Sequence, residues 1–494
     1  MRWFAVLLAA QVLACAESLP EQIEGLLNAT PEARGAFWGI QIVRAGDGSV
    51  LYAKNEDRFF VPASNTKLFT TALAIERLGP EYRFRTTVGA TAVPAGGVIP
   101  GDLVLTGGGD PTLSAREYPY RKGPIMGNPL GPIEELAGRI EALGISRING
   151  NVIGDDTAFV WQPYPEGWAQ DDAIWEYGAP VSALAINDSS IKVELKPGRS
   201  VSLPARLTVS PVVEYFVIDN RVVTTARGNG KVEIDRAPGS RQLRLWGSIP
   251  LNSQGRTILL AVDDPALYAA TVFRDALVRR GITVTGEVVA RHRYQSEVRD
   301  LKNGNGQMAN SPAAHELIRR DSPPLAEILQ VIDKVSQNLH AEISLREVAR
   351  VRRNIGSREA GLEEMRAFLA GAGIGENEYG FEDGSGLSRL NLVTPAAVAK
   401  LLRYMHGSSN ARAWRELLPV GGEDGTLRDR FQGEAAAQRV FAKTGTLSHV
   451  SALSGYVESR TNGVLAFSIL VNNYRAPARD VRTVIDRICS LIAQ

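Results

Sequence analysis

A serine and a lysine three residues apart, Ser64 and Lys67, open the apolar-periodic run FVPASNTKLFTTALAIERLGP at 60–80. Positions three apart share one face of a helix, so hydroxyl and amine can touch. A serine hydroxyl alone is a weak nucleophile, and an adjacent amine that takes its proton activates it. The start of a helix adds the positive dipole end, and the serine's own N–H can stabilise a developing oxyanion. By itself the pair reads rather as a capping serine beside a helix lysine, because S-x-x-K is a short pattern. It recurs at Ser189 and Lys192, but SSIKVELK alternates as a strand does, and an odd offset there points the two side chains to opposite faces. Two further segments carry the reading past coincidence. KVSQNLHAEISL sets Ser336, Gln337 and Asn338 between two helical runs, and FAKTGTLSH sets Lys443, Thr444 and Gly445 on a strand. A second S-x-N, Ser408-Ser409-Asn410, lies in the polar loop HGSSNARA with no apolar packing to hold it, and is set aside. The five histidines, at 292, 315, 340, 406 and 449, show no H-x-H or HExxH spacing, so no metal site is expected. His449 lies near the K-T-G strand, but there is no G-x-S-x-G elbow for a Ser-His arrangement.

The scaffold must bring these segments together across a long chain. At 494 residues, with net charge +1, 44% hydrophobic and 22% charged residues, the composition is globular and too long for one core, so two or three domains are expected. Near-zero net charge with interspersed signs gives no footprint for nucleic acid or an anionic membrane. Arg346, Arg350 and Arg353 alternate with Glu342 and Glu347, which reads as a solvated helix face. Arg2, an apolar stretch from Trp3 to Leu13 and Ala14-Cys15-Ala16 read as a secretory signal over residues 1–16, with lipoprotein processing at Cys15 as the rival. Cleavage leaves Cys489 alone, so no internal disulfide is expected and the mature protein should lie outside the cytoplasm, in the periplasm. Residues 36–43 and 50–53 flank the turn cluster RAGDGS as a hairpin. A β-rich texture runs from about Phe84 to Arg291, helical patterns resume at 325–335 and 339–353, and RVFAKTG and GVLAFSILVNN return to strands. Val481, Val484, Ile485, Ile488 and Ile492 put a last amphipathic helix against the sheet rather than a membrane, leaving at most peripheral membrane contact. The fold class is therefore α+β, an antiparallel sheet flanked by helices. Its domain is discontinuous, 17–85 and 292–494, around a β-rich insertion at 86–291 of two subdomains.

S-x-x-K, S-x-N and K-T-G in this order form the signature shared by β-lactamases and penicillin-binding proteins. With GGGDPTL, DGSGLSRLNLVTP and EDGTLRDRF as well, the chain resembles the low-molecular-mass class C penicillin-binding proteins, serine D-alanyl-D-alanine carboxypeptidase/endopeptidases. The likeness spans essentially the whole mature chain, including the large insertion that sets Lys67 and Ser336 269 positions apart. It implies that Ser64 attacks the D-alanyl carbonyl of peptidoglycan peptides, with Lys67 as base and Ser336 relaying the proton to the leaving amine. Asn338 would orient Lys67 and the substrate amide. Lys443 would supply positive field, Thr444 and Thr446 flanking Gly445 would bind the substrate carboxylate, and the N–H groups of Ser64 and Thr446 would form the oxyanion hole. The resemblance further pairs Arg389 with Asp155, Asp156 competing, to bind the free amino-acid end of a diaminopimelate side chain. It implies no cofactor, and β-lactams as covalent inhibitors. A β-lactamase or esterase, and a non-catalytic penicillin- or wall-binding module, stay as alternatives. The class A glutamate stretch E-x-x-L-N occurs only as EGLLN at 24–28, ahead of the nucleophile, where it reads as coincidence. GGGDP reads as a structural turn, and WQPYPEGWAQDDAIWEYG as a glycan platform or, preferably, as packing between insertion and core.

Overall fold

Alternation along GVLAFSILVN decides how the two ends of the chain are used. In the computed structural model, which describes residues 17–303 and 315–494, this strand (Gly463–Asn472) lies at the centre of a five-stranded antiparallel sheet. Successive side chains of a strand point to opposite faces. Leu465, Phe467, Ile469 and Val471 accordingly enter one core, and Ala466 and Leu470 another. Its neighbours are Val450–Ser459 on one side and Phe37–Arg44 on the other, so Phe37 pairs with Asn472 across the length of the chain. Val50–Lys54 and Val440–Leu447 are the edges. The expected signal sequence lies outside the described residues.

One face of this sheet is covered by the helix Leu19–Ala29 and the C-terminal helix Ala478–Ile492. The apolar stripe of the latter is fully buried: Val481, Ile485 and Ile488 are each 0% exposed. EGLLN belongs to the first of these helices, where Glu24 accepts from Tyr52 Oη and Lys54 Nζ. The opposite face carries the nucleophile helix (Thr66–Leu78) together with Leu325–Val335, Asn338–Arg353, Arg358–Gly371 and Pro395–His406. Asn338–Arg353 belongs to this layer, and its supposed solvated face is buried at Glu342, Arg346 and Glu347, with Arg350 and Arg353 only partly exposed. Glu342, Arg346 and Glu347 are 0%, 1% and 0% exposed, and Arg346 Nη1 donates to Glu342 Oε2 at 2.9 Å. Opposite charges one turn apart satisfy one another inside the packing, which a charge pattern alone cannot distinguish from a wet surface.

The insertion has its own core, built from residues such as Leu105, Ile133, Val152, Leu184 and Phe273. A five-stranded sheet in the order Val288–Arg293, Val152–Val160, Leu103–Gly107, Arg85–Ala90, His315–Asp321 packs against helices Gly131–Ala142 and Pro265–Arg279. Three three-stranded sheets, centred on Ser190–Lys196, Gln242–Pro250 and Arg147–Ile148, are also part of it. The expected return to the catalytic domain at 292 falls inside a strand. Residues 315–321, the charged stretch HELIRRD, add an edge strand to the same sheet, so the crossing comes at Ser322. Edge strands tolerate charge because one side faces water, which hides them from an apolar-pattern reading. The GGGDP turn is structural: Asp110 is buried and held by Arg320 and Thr112.

Candidate active site

Ser64 sits in a single 3₁₀ turn, Ala63–Asn65, one step before the nucleophile helix begins at Thr66. The spacing still works, because Lys67 Nζ lies 3.0 Å from Ser64 Oγ. Lys67 is 0% exposed and donates to Asn338 Oδ1 and to the Ser385 carbonyl, both at 2.6 Å. Burial, then the charge of Lys443, hold its amine well below the ordinary lysine range. A buried amine that prefers to be neutral is a competent proton acceptor.

Ser336 occupies the junction between helices Leu325–Val335 and Asn338–Arg353 in the left-handed conformation, φ 63°. That backbone costs a non-glycine residue of order 1 kcal/mol, and such positions cluster where geometry is functional. It aims the hydroxyl at Lys443, whose Nζ donates to Ser336 Oγ at 2.9 Å and to Thr444 O at 2.9 Å. Two residues on, Asn338 spans the site, bonded to Lys67 through Oδ1 and donating from Nδ2 to Tyr177 O at 2.8 Å. Two amine–hydroxyl pairs thus face one another. Asp333, on the helix Leu325–Val335, lies within the field of both lysines, 0% exposed, one oxygen accepting from Thr71 Oγ1 at 3.1 Å. Burial pushes its acid up to about 7, while Lys443, also buried, is pushed down to about 8 against the opposing pull of Asp333.

Val440–Leu447 passes the 3₁₀ turn as the sheet's edge strand. Gly445 is required there: a Cβ would sit 2.7 Å from Pro62 O and 3.2 Å from Ser64 N. Thr444 Oγ1 donates to Thr426 Oγ1 at 2.9 Å, and Thr446 is exposed beside Ser64. His449 lies in the turn after this strand with Nδ1 on Tyr474 O, away from any serine pair. Asn410 of the second S-x-N bonds Glu76, on the outer end of the nucleophile helix.

A cavity of about 500 Å³ opens over Ser64, Ser336 and Asn338, walled by Gly386, Leu387, Arg389 and Thr446. Asp383 builds the wall that carries Arg389. Its carboxylate accepts from the N–H groups of Gly386 and Ser388 at 2.8 and 2.7 Å and from Trp168 Nε1 at 2.9 Å. Beneath it, Glu342 Oε1 accepts from Gly384 N and Ser385 N at 2.9 and 2.8 Å, which turns the Ser385 carbonyl toward Lys67. Glu342→Ala leaves Arg346 buried without its partner, which typically costs about 3–5 kcal/mol. The expected result is a clear fall in the denaturation midpoint; a midpoint unchanged from wild type contradicts this role.

Asp155 is not in the cavity wall. It lies inside strand Val152–Val160, 0% exposed, with Arg291 Nη1 at 3.1 Å and Thr157 Oγ1 donating at 2.6 Å. Asp156 is likewise committed, to Ser182 Oγ at 2.7 Å and His292 Nδ1 at 2.9 Å. Both carboxylates hold the insertion sheet together. The acids that do line the cavity opposite Arg389 are Asp171 and Asp172, with Ala169 and Tyr177, from the segment WAQDDAIWEYG. Burial raises the acid of Asp172, and the charge of Arg389 opposes that rise. The available signal was two adjacent acids among three tryptophans, a polar spot in an otherwise apolar junction.

Comparison with known proteins finds relatives along nearly the whole chain. The family model described as "D-Ala-D-Ala carboxypeptidase 3 (S13) family" matches residues 19–494. The chain is 35% identical over 472 residues to a D-alanyl-D-alanine carboxypeptidase of Actinomadura sp. (strain R39), covering 93% of this chain and 82% of that one. Its fold is similar to the crystal structure of penicillin binding protein 4 (dacB) from Haemophilus influenzae, with TM-score 0.80, 23% identity, and 95% and 97% of the two chains covered. A second structure of that protein, in complex with a β-lactam, aligns with TM-score 0.74 and 22% identity over 95% of this chain and 97% of that one.

Proposed function

The chain belongs to the D-Ala-D-Ala carboxypeptidase 3 (S13) family of serine peptidases, and from that membership we propose how its residues divide an acyl-enzyme reaction on peptidoglycan stem peptides. Neutral Lys67 takes the proton of Ser64, whose oxygen attacks the carbonyl of the penultimate D-alanine. The N–H groups of Ser64 and Thr446 receive the oxyanion. Collapse breaks the C–N bond, and the Ser336 hydroxyl hands the amine a proton drawn ultimately from Lys67. Water then attacks the ester, releasing the shortened peptide and restoring Ser64. Lys443, Thr444 and Thr446 hold the carboxylate of the departing residue, and Asn338 orients Lys67 and the substrate amide. Arg389 with Asp171 and Asp172 offers opposite charges on the acyl side, matching the zwitterionic end of a diaminopimelate side chain.

One observation carries this reading, the 3.0 Å contact between a fully buried lysine amine and the Ser64 hydroxyl. The same pocket is acylated by β-lactams, as the β-lactam complex of the Haemophilus protein supports. The catalytic unit is discontinuous around the insertion, and the mature chain works outside the cytoplasm, in the periplasm, where its substrate lies. Among the described residues no helix is long and apolar enough to cross a membrane. The test is to incubate the enzyme with pentapeptide and cross-linked muropeptides and weigh the products, then to locate a penicillin adduct by mass. Loss of one alanine or resolution of the dimer, with the adduct on the Ser64 peptide, is the expected outcome. Rapid drug turnover without peptide cleavage points to a β-lactamase instead.

A further inference from the structure

Ser64 and Ser336 also line a second cavity, about 360 Å³, on the side of the nucleophile away from Arg389. Its other walls are Thr426, Thr444, Gly445, Thr446 and Ala452, with two arginines, Arg430 and Arg482. The two cavities differ in charge. The first sets two aspartates against an arginine, whereas among the described residues no acid lines the second. Arg430 is fixed by Asp486, which accepts from its Nε and Nη2. Arg482 stands one turn before Asp486 on the C-terminal helix and is exposed. Arg482 shares the field of Asp486 with Arg430, and it is the exposed one of the two arginines that line the cavity.

This deepens the function proposed above and rests on it. A departing alanine has six heavy atoms, whereas about 360 Å³ is the share of roughly twelve waters at ~30 Å³ each, so alanine leaves about half of the space empty. The carboxylate next to the scissile nitrogen is present whether the leaving group is alanine or a cross-linking diamino acid, and the Thr444 side of the cavity suffices for it. What distinguishes the two leaving groups is what lies beyond. A diamino acid continues into a second stem peptide bearing further free carboxylates. We propose that this cavity is a leaving-strand subsite and that Arg482 is its specificity-determining residue, engaging a second carboxylate of the departing strand and so favouring cross-links over terminal alanine.

The test compares kcat/KM for a cross-linked peptide dimer with that for release of D-alanine from a monomeric pentapeptide. In Arg482→Glu, attraction becomes repulsion, and the dimer-to-monomer ratio is expected to fall about tenfold, chiefly through KM. Amidating the carboxylates of the departing strand other than the one next to the scissile nitrogen should lower the ratio for the wild-type enzyme and raise that of the variant, whose repulsion it removes. An unchanged ratio in the variant, or equal sensitivity of both enzymes to amidation, overturns the subsite while cleavage itself continues. If the wild-type enzyme cleaves neither substrate, it is the peptidase reading that fails.

Discussion

Lys67→Ala is expected to slow acylation of Ser64 by about 10²–10⁴-fold, the range that a positioned general base contributes. The size follows from the site's economy of bases. Ser64 Oγ has the Lys67 amine at 3.0 Å, and the second amine, Lys443, is directed at Ser336 instead. Loss of the lysine also strips a donor from Asn338 Oδ1 and Ser385 O. A rate loss could therefore be confused with a disturbed fold. Measuring the second-order acylation rate with a labelled penicillin, beside the thermal midpoint, separates the two. A large rate loss with a nearly unchanged midpoint is the expected pair of results. A loss below tenfold means that some other group takes the proton.

The second large effect is a bell-shaped pH dependence of kcat/KM. Lys67 must be neutral to act, so activity rises with pH until its lowered pKa is passed. Lys443 must be charged to attract the substrate carboxylate. Held at about 8, it loses its proton as the pH rises through that value. Above it, kcat/KM should fall about tenfold per pH unit for a substrate ending in a carboxylate, and should flatten for the corresponding terminal amide. The negative charge of Asp333 pulls the Lys443 pKa upward and so supports the charge on Lys443. Asp333→Asn should therefore move the alkaline limb to lower pH. An alkaline limb identical in the two enzymes, or one that persists with the amide substrate, removes Lys443 from this role.

Much of the site was legible because its chemistry is local. Ser64 and Lys67 share a face through helical spacing alone, and Lys443, Thr444 and Gly445 read as a strand from their neighbours. The ambiguous copies also resolved locally: Lys192 is on a strand and pairs with Glu194 at 2.8 Å. The acids opposite Arg389 resisted for the opposite reason. In IGDDTAF and in WAQDDAIW two aspartates are adjacent, and nothing along the chain says which pair faces a cavity and which is spent on Arg291 and His292. Buried Glu342 and Arg346 resisted likewise, since a pair of opposite charges one turn apart looks the same in a core as in water.

The order of the three motifs, the amphipathic C-terminal helix and the α+β class followed from residue types and their periods, which depend on neighbours a few positions away. The convergence of two lysines on two serines, the loop that turns Ser385 O toward Lys67, the acidic pair from the insertion and the cationic cavity beneath the last helix were settled only by the folded chain. Each depends on groups hundreds of residues apart, and a side chain's charge state and direction are set by what packs around it.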